Sequence, residues 1–408
     1  MKRSFLLILV VIIIQLSCKE DGIAPPPKNN PPGWQEDIPW PSLADSPWPM
    51  NHHDPQNTGR SKGLGPQLGI LETVITTPEL YSGFAISSDS VIYFTSSDRS
   101  NGGLFAYSID GQMKWFSSEG GRSWTAPICS KDGTIYYLGQ GALVAINPNG
   151  SLKWEYPYQN QTMKLFSMDR VGNLYFLDGF ENRLKIINRF GNLVNSISDP
   201  DFSSALNLSF ANDLSFSPDG LTLYISGAGS ALTAIDITNP KIKWHFGIVT
   251  SSLLNGSVIG SLIDCEGNIY FQFADTTGDV FFVSLDQNGN KRWQFPLSRP
   301  LDEQATLDKY GNLYFATDTL YSINISGNLR WKFPIDGFLS SSLVNDVDGN
   351  LYLSVIGQSL RTIAFSRNGD VKWILNDSSY GTLSSSPAIF NDRLYLPSNN
   401  NKNYYIIR

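Results

Sequence analysis

One strand-turn-strand signature returns eight times along this chain, and that repeat limits the fold more than any other feature. It reads Ser130-Lys131-Asp132-Gly133-Thr134-Ile135-Tyr136-Tyr137 and then Asp169-Arg170-Val171-Gly172-Asn173-Leu174-Tyr175-Phe176. It comes back at 217–224, 264–271, 308–315 and 346–353, with outlying copies at 88–94 and 391–396. Asp or Ser three residues ahead of Gly suits a tight turn, because the side-chain oxygen caps turn amides and Gly tolerates the final turn geometry. The Leu-Tyr-Phe run that follows is strand-forming. A second hairpin closes most copies and ends in Trp, at Trp115, Trp154, Trp244, Trp293, Trp331 and Trp373. The copy Gly191-Asn192-Leu193-Val194-Asn195 has Asn where the Trp belongs. From Trp115 to Trp154 is 39 residues and from Trp293 to Trp331 is 38, the length of four short strands with their turns.

Each copy is therefore read as one blade, and the expected fold is all-β: an eight-bladed β-propeller of four-stranded antiparallel blades, with seven blades as the alternative. The last copy holds only three strands' worth of sequence before it stops at Ile407. An orphan apolar segment, 68–75, sits where an outer strand would precede the first blade. It is expected to complete the last blade from the other end of the chain and close the ring without an exposed edge. At 408 residues the chain could be two or three domains, but closed all-β folds routinely run long as one unit.

The amino terminus reads as an address. Met1-Lys2-Arg3, an apolar run over 5–14 and Gln15-Leu16-Ser17-Cys18 make a signal peptide over 1–17, too short to span a bilayer. Leu-Ser-Cys resembles a bacterial lipobox, which implies that Cys18 is acylated and that lipid alone holds the protein on the membrane. The other reading is an ordinary signal peptide cut nearby. Lys19-Glu20-Asp21 lacks Asp directly after the cysteine, which resembles lipoproteins sent to the outer membrane, on its periplasmic face or at the cell surface. From 18 to 47 the sequence is Pro-rich and is expected to be an extended tether ahead of the propeller at 48–408.

The formal charge is −7 and no run of five like charges occurs, so nucleic acid is a poor partner. Three histidines leave little material for a hydrolytic or metal centre. His52 and His53 beside Asp54 suggest a metal only if further ligands arrive from elsewhere, because neighbours in extended chain point to opposite sides. His245 reads as a satisfied blade histidine. Cys129 and Cys265 read as buried thiols, able to pair only if the fold brings them together. The Asp-x-x-Gly-Asn turns lack the alternating oxygens of a calcium loop and read as turns. The recurring Trp is expected to pack between neighbouring sheets.

The Gly-x-Leu-Lys-Trp ending, together with the lead-in from Trp48 through His52-His53-Asp54 to Ser61, resembles the pyrroloquinoline-quinone-type propeller repeat over residues 48–408. That family divides into quinone-dependent dehydrogenases and non-enzymatic propellers such as the outer-membrane assembly lipoprotein. The enzymes are typically larger and carry adjacent cysteines, a calcium and a catalytic Asp. No adjacent cysteines and no Cys-x-x-Cys-His occur in this sequence. The resemblance therefore implies a protein without catalytic residues, cofactor or metal, acting as a scaffold for an envelope protein at the outer membrane. The alternative is a propeller that binds glycan or another small molecule through exposed aromatics and rim acids such as Asp302 and Glu303, with a quinone-dependent dehydrogenase ranked lower. A sugar site would show aromatic side chains on one rim outside the repeat positions. A protein site would show an apolar or edge-strand patch.

Overall fold

Every copy of the repeat forms one antiparallel meander whose strands run in chain order from the centre of a ring outwards. The structure, a computed structural model, describes residues 30–80, 82–159, 166–200, 202, 214–228, 230–247, 260–376, 386–398 and 402–408. Blades 1 to 7 occupy 85–117, 128–157, 166–198, 215–246, 262–297, 306–334 and 344–376, and blade 7 carries an extra short strand at Phe338–Leu339. Blade 8 takes Ala388–Phe390, Arg393–Ser398 and Asn403–Ile407 from the end of the chain. Its outer strand is Leu71–Thr76, antiparallel to Asn403–Ile407 with Val74 opposite Tyr405. The blade count is eight, and the amino-terminal strand closes the ring as the orphan segment implies. Glu72 on that strand pairs with Arg393, Nε to Oε2 at 2.5 Å.

What repeats is the packing. One Tyr at the same place in each second strand is buried: Tyr93, Tyr136, Tyr175, Tyr224, Tyr270, Tyr314, Tyr352 and Tyr395. In blades 3, 5, 6 and 7 it closes the Asp turn. Asp308 Oδ2, for example, accepts from Asn312 Nδ2 at 2.7 Å and from the Tyr314 hydroxyl at 2.8 Å, while Oδ1 accepts the amides of Tyr310 and Asn312. The turn carboxylate is saturated by its own blade.

The Trp of each outer strand is a latch to the next blade. Trp115 Nε1 donates to the Pro148 carbonyl at 2.9 Å, and Trp331 Nε1 donates to that of Arg367 at 3.0 Å. In each case the indole lies on the glycine of the receiving turn. A Cβ on Gly369, at φ +95°, would stand 2.9 Å from the Trp331 ring, which is why that turn requires Gly. Trp373 latches in the same way onto Pro66 and Gly69, and Ile75 does so apolarly on Gly111 at the closure between blades 8 and 1. The seam between blades 3 and 4 has neither half of the latch. Asn195 replaces the Trp, and the facing turn of blade 4 runs Asp236-Ile237-Thr238-Asn239-Pro240 with no glycine.

The start of the propeller lies further upstream than 48. The compact unit runs over 32–408, and the part of the expected tether from Trp34 to Pro47 is packed against the blades. Gln35, Trp40 and Leu43 are buried. Apolar side chains at 40 and 43 gain more from covering the sheet ends than from trailing in water, and prolines at 39 and 41 set the extended backbone that such a crossing needs.

Candidate functional site

The mouth and channel of a propeller are its usual binding places, and here the chain's own lead-in lines the channel. Residues 48–59 wind round the channel and offer one carbonyl after another to the inner strands. Ile86 N–H donates to Trp48 at 2.7 Å, Cys129 to Pro49 at 2.8 Å, Phe216 to Pro55 at 2.8 Å, Ile263 to Gln56 at 2.9 Å, Leu307 to Thr58 at 3.0 Å and Asn345 to Gly59 at 3.0 Å. Six of the eight innermost edges are paired in this way, so amides that would otherwise face the channel unmatched are satisfied. Asn57 Nδ2 and Gln56 Nε2 add bonds to the Ser261 and Phe216 carbonyls.

The histidines of the lead-in serve this winding. His52 and His53 sit at φ +50° and +74° and reach different partners. A ring nitrogen of His52 lies 3.1 Å from Ser386 Oγ, and His53 Nδ1 lies 3.2 Å from Asp54 Oδ2. Burial pushes His52 down to about 4, with Asp54 opposing, so the imidazole is neutral at ordinary pH. Burial alone would raise the Asp54 carboxyl, but hydrogen bonds from His53 and Thr58 and the charge of Arg60 hold it below the usual carboxylate range. Asp54 caps its own turn by accepting from the Gln56 and Thr58 amides. Among the described residues no group of three or more His, Cys, Asp or Glu is placed to hold a metal ion.

Upstream of the lead-in, residues 33–46 form a strap over the face from which the turns after each first and third strand project. It starts on blade 6, where Gln35 N–H donates to the Lys309 carbonyl, and touches blade 5 through Gln35 Oε1 and Cys265 N–H. Trp40 then lies on blades 3 and 4, with Nε1 on the Met168 carbonyl and the ring 5.5 Å from Phe216. The strap ends on blade 2, where Ala44 N–H donates to Cys129. Between strap and lead-in lies a cavity of about 450 Å³ whose walls include Asp37, Trp40, His53, Asp54, Arg60 and Cys265. Arg60 Nη2 stands 3.0 Å from Asp37 Oδ1 across it.

The other singled-out residues are occupied in the fold. His245 Nδ1 is 3.1 Å from Thr233 Oγ1, and its Nε2 is 3.5 Å from Asp199. Asp302 is held by both terminal nitrogens of Arg299 and by the Leu339 amide, and Glu303 Oε2 accepts from Ser342 Oγ at 3.2 Å. Cys129 is a buried thiol. Cys265 is only half-buried, with Sγ against the Trp34 carbonyl at 3.7 Å, because the strap rather than a blade covers it. Both cysteines are free. Cys18 lies outside the described residues.

Comparing the blades position by position shows a surface the repeat does not explain. Val171 stands where other turns carry Asp132, Asp219, Glu266 and Asp348, while blade 6 has a half-buried Tyr310. Phe190 stands where others carry Asp110, Asn149, Asn288, Ser326 and Asn368. Val194 takes the place of Lys114, Lys153, Lys243, Arg292, Arg330 and Lys372, and only blade 8, with Val74, is apolar there as well. All three are exposed, at 72%, 67% and 56%. The outer strand to which Val194 belongs, Leu193–Ser198, is the one outer strand of the eight with no charged residue. Exposed Leu221 in the first turn of blade 4 extends this apolar rim across the seam.

A family model described as "Outer membrane protein assembly factor BamB" matches residues 276–406. The crystal structure of BamB from Moraxella catarrhalis is similar with a TM-score of 0.61 at 14% identity, covering 83% of this chain and 97% of that one. The chain is a pyrroloquinoline-quinone-repeat-like β-propeller similar to BamB. The fold is shared with the quinohemoprotein alcohol dehydrogenase of Comamonas testosteroni, at a TM-score of 0.58 and 11% identity over 88% of this chain and 80% of that one. It is shared also with the computationally designed protein Ika8, at 0.62 and 9% identity over 85% and 100%. At such identities the likeness is one of fold, and dehydrogenase and BamB alike have it. No match to the sequence is found among curated proteins.

Proposed function

We propose that this BamB-like propeller is a non-enzymatic envelope scaffold, tethered through an acylated Cys18 at the outer membrane, that binds an envelope protein at the rim of blade 3. The observation that carries the reading is that blade 3 alone is apolar at all three of these mostly polar repeat positions, with Val171, Phe190 and Val194. Packing explains what all blades share, and it does not call for three exposed apolar groups together where most blades are polar. The family match, by its printed description, names a protein of outer-membrane assembly, which supports a protein partner in the envelope. The glycan reading has less behind it. Asp302 and Glu303 are already engaged, and the most exposed aromatics among the described residues are Phe116, Phe180, Phe190 and Phe338, while the described Trp and Tyr side chains are half-buried or buried.

The test is a mild-detergent pull-down of tagged protein from its native envelope, with Cys18→Ala as the unanchored control and mass spectrometry of what is retained. The scaffold reading expects envelope proteins with the anchored chain and fewer with Cys18→Ala. A solitary protein in both arms would end it.

A further inference from the structure

A second binding place, independent of any protein on the blade 3 rim, lies under the strap. The cavity between strap and lead-in, of about 450 Å³, falls in the range of small-molecule pockets, roughly 300–1,000 Å³. Two of its wall residues carry hydrogen-bonding capacity that the protein leaves unused. Arg60 is buried; Nη2 is shared between Asp37 Oδ1 and the Glu36 carbonyl, and Nη1 has no partner. His53 is buried too, and its Nε2 has no partner. The other side of that ring is committed. Asp54 accepts from His53 Nδ1, from Thr58 Oγ1 and from two amides, so Nδ1 carries the hydrogen and Nε2 of the neutral ring is an acceptor. Buried groups of this kind are costly to leave unmatched. The walls around them include the apolar side chains of Trp40, Leu43 and Ile263.

The charges of the cavity do not select an ion. Its walls set Glu36, Asp37, Asp45 and Asp54 against Arg60, Lys62 and Lys131. Behind them Arg170 lies over Trp40 and Lys309 over Trp34, while Asp264 and Glu266 flank Cys265. The two signs come close to cancelling. We propose that this cavity binds a small neutral amide, whose carbonyl accepts from Arg60 Nη1, whose N–H donates to His53 Nε2 and whose apolar part lies against the Trp40 side of the cavity. An amide supplies in one planar group both the acceptor and the donor that the walls lack. A carboxylate offers no donor for His53 and an ammonium no acceptor for Arg60, and either would bring an unpaired charge into a place whose own charges are matched.

The experiment treats the full-length protein in mild detergent with a diazirine-bearing aliphatic amide and maps the crosslinked residues by mass spectrometry. Isovaleramide, isovalerate and isoamylamine, which share one apolar body and differ in the end group, serve as competitors. The expected result is saturable crosslinking to the strap, the lead-in, Lys131, Ile263 or Cys265, with isovaleramide competing at least tenfold better than either charged relative. N-acetyl-leucinamide and N-acetylglucosamine, tried in the same way, then tell a peptide source of the amide from a sugar source. Arg60→Lys keeps the charge and removes Nη1, and should weaken isovaleramide competition at least tenfold in a protein shown by thermal melting to be folded. The competitor series is run on the unaltered protein, so it decides the matter even where that variant fails to fold. Crosslinks elsewhere or none at all would leave these groups to water and overturn the site. Equal competition by isovalerate or isoamylamine would overturn the neutral amide, and undiminished competition in folded Arg60→Lys would overturn the part given to Arg60.

Discussion

Blade 7 and blade 3 are built from one repeat and bury the same residues, yet they face solvent differently. Tyr352 and Tyr175 close equivalent Asp turns, with the hydroxyl 3.0 and 3.1 Å from the carboxylate. At the surface, Asp348, Asn368 and Lys372 of blade 7 correspond to Val171, Phe190 and Val194 of blade 3, and the latch Trp373 corresponds to Asn195. The difference teaches that the repeat records packing. Where every copy solves the same burial problem, the copies agree. Where one copy spends apolar side chains on solvent and gives up its latch, something other than folding sets the choice.

That comparison can be broken most directly at the latch. Trp373→Ala removes a buried indole and its bond to Pro66, and should cost about 3–5 kcal/mol in chemical denaturation. Asn195→Ala at the equivalent place in blade 3 should cost less than about 0.5 kcal/mol. Equal losses would mean that blade 3 has a hidden latch of its own.

A second test concerns the channel, where the lead-in serves most blades alike. His52 is neutral when folded and titrates near its ordinary 6.5 when unfolded, so the unfolded chain binds the extra proton. Its contribution is complete above pH 6.5 and fades as pH falls towards about 4, by roughly 3 kcal/mol at the lower limit. Asp54, held below its usual range, adds a further loss at lower pH still. Melting followed from pH 7 to pH 4 should show this decline, and His52→Gln should flatten it. An unchanged slope in His52→Gln would assign the acid sensitivity elsewhere.

The smallest effect belongs to the closure of the ring. The bond from Arg393 holds Glu72 below its ordinary range, so the pair contributes above that range and is lost as pH falls through it. Because both side chains are about one-third exposed, Glu72→Gln should cost no more than about 1 kcal/mol, less in high salt. A larger cost would show that this end of the ring depends on charge rather than on the strand pairing of Leu71–Thr76.

Most of the fold was legible because the repeat states it eight times: the turn residues, the Trp latches and the amino-terminal strand of blade 8 all follow from spacing. The path of residues 33–61 was not. A Pro-rich run reads as a spacer unless the burial of Trp40 and Leu43 and the carbonyls of residues 48–59 are seen, and backbone acceptors leave no mark in side-chain chemistry. The missing Trp at Asn195 was visible in the sequence, whereas the apolar rim needed the blades compared position by position at sites where the repeat is polar. Val171, Phe190 and Val194 each look ordinary alone. They stand out only beside Asp348, Asn368 and Lys372.

The central claim is tested most directly by rewriting blade 3 in the language of the other blades, as the triple variant Val171→Asp, Phe190→Asn and Val194→Lys, and measuring envelope-protein capture beside thermal stability. The account predicts a propeller that melts within about 0.5 kcal/mol of the parent and no longer retains the partner. Undiminished capture by a folded triple variant would contradict it, and so would a variant that fails to fold, because the three side chains would then belong to the propeller's own packing.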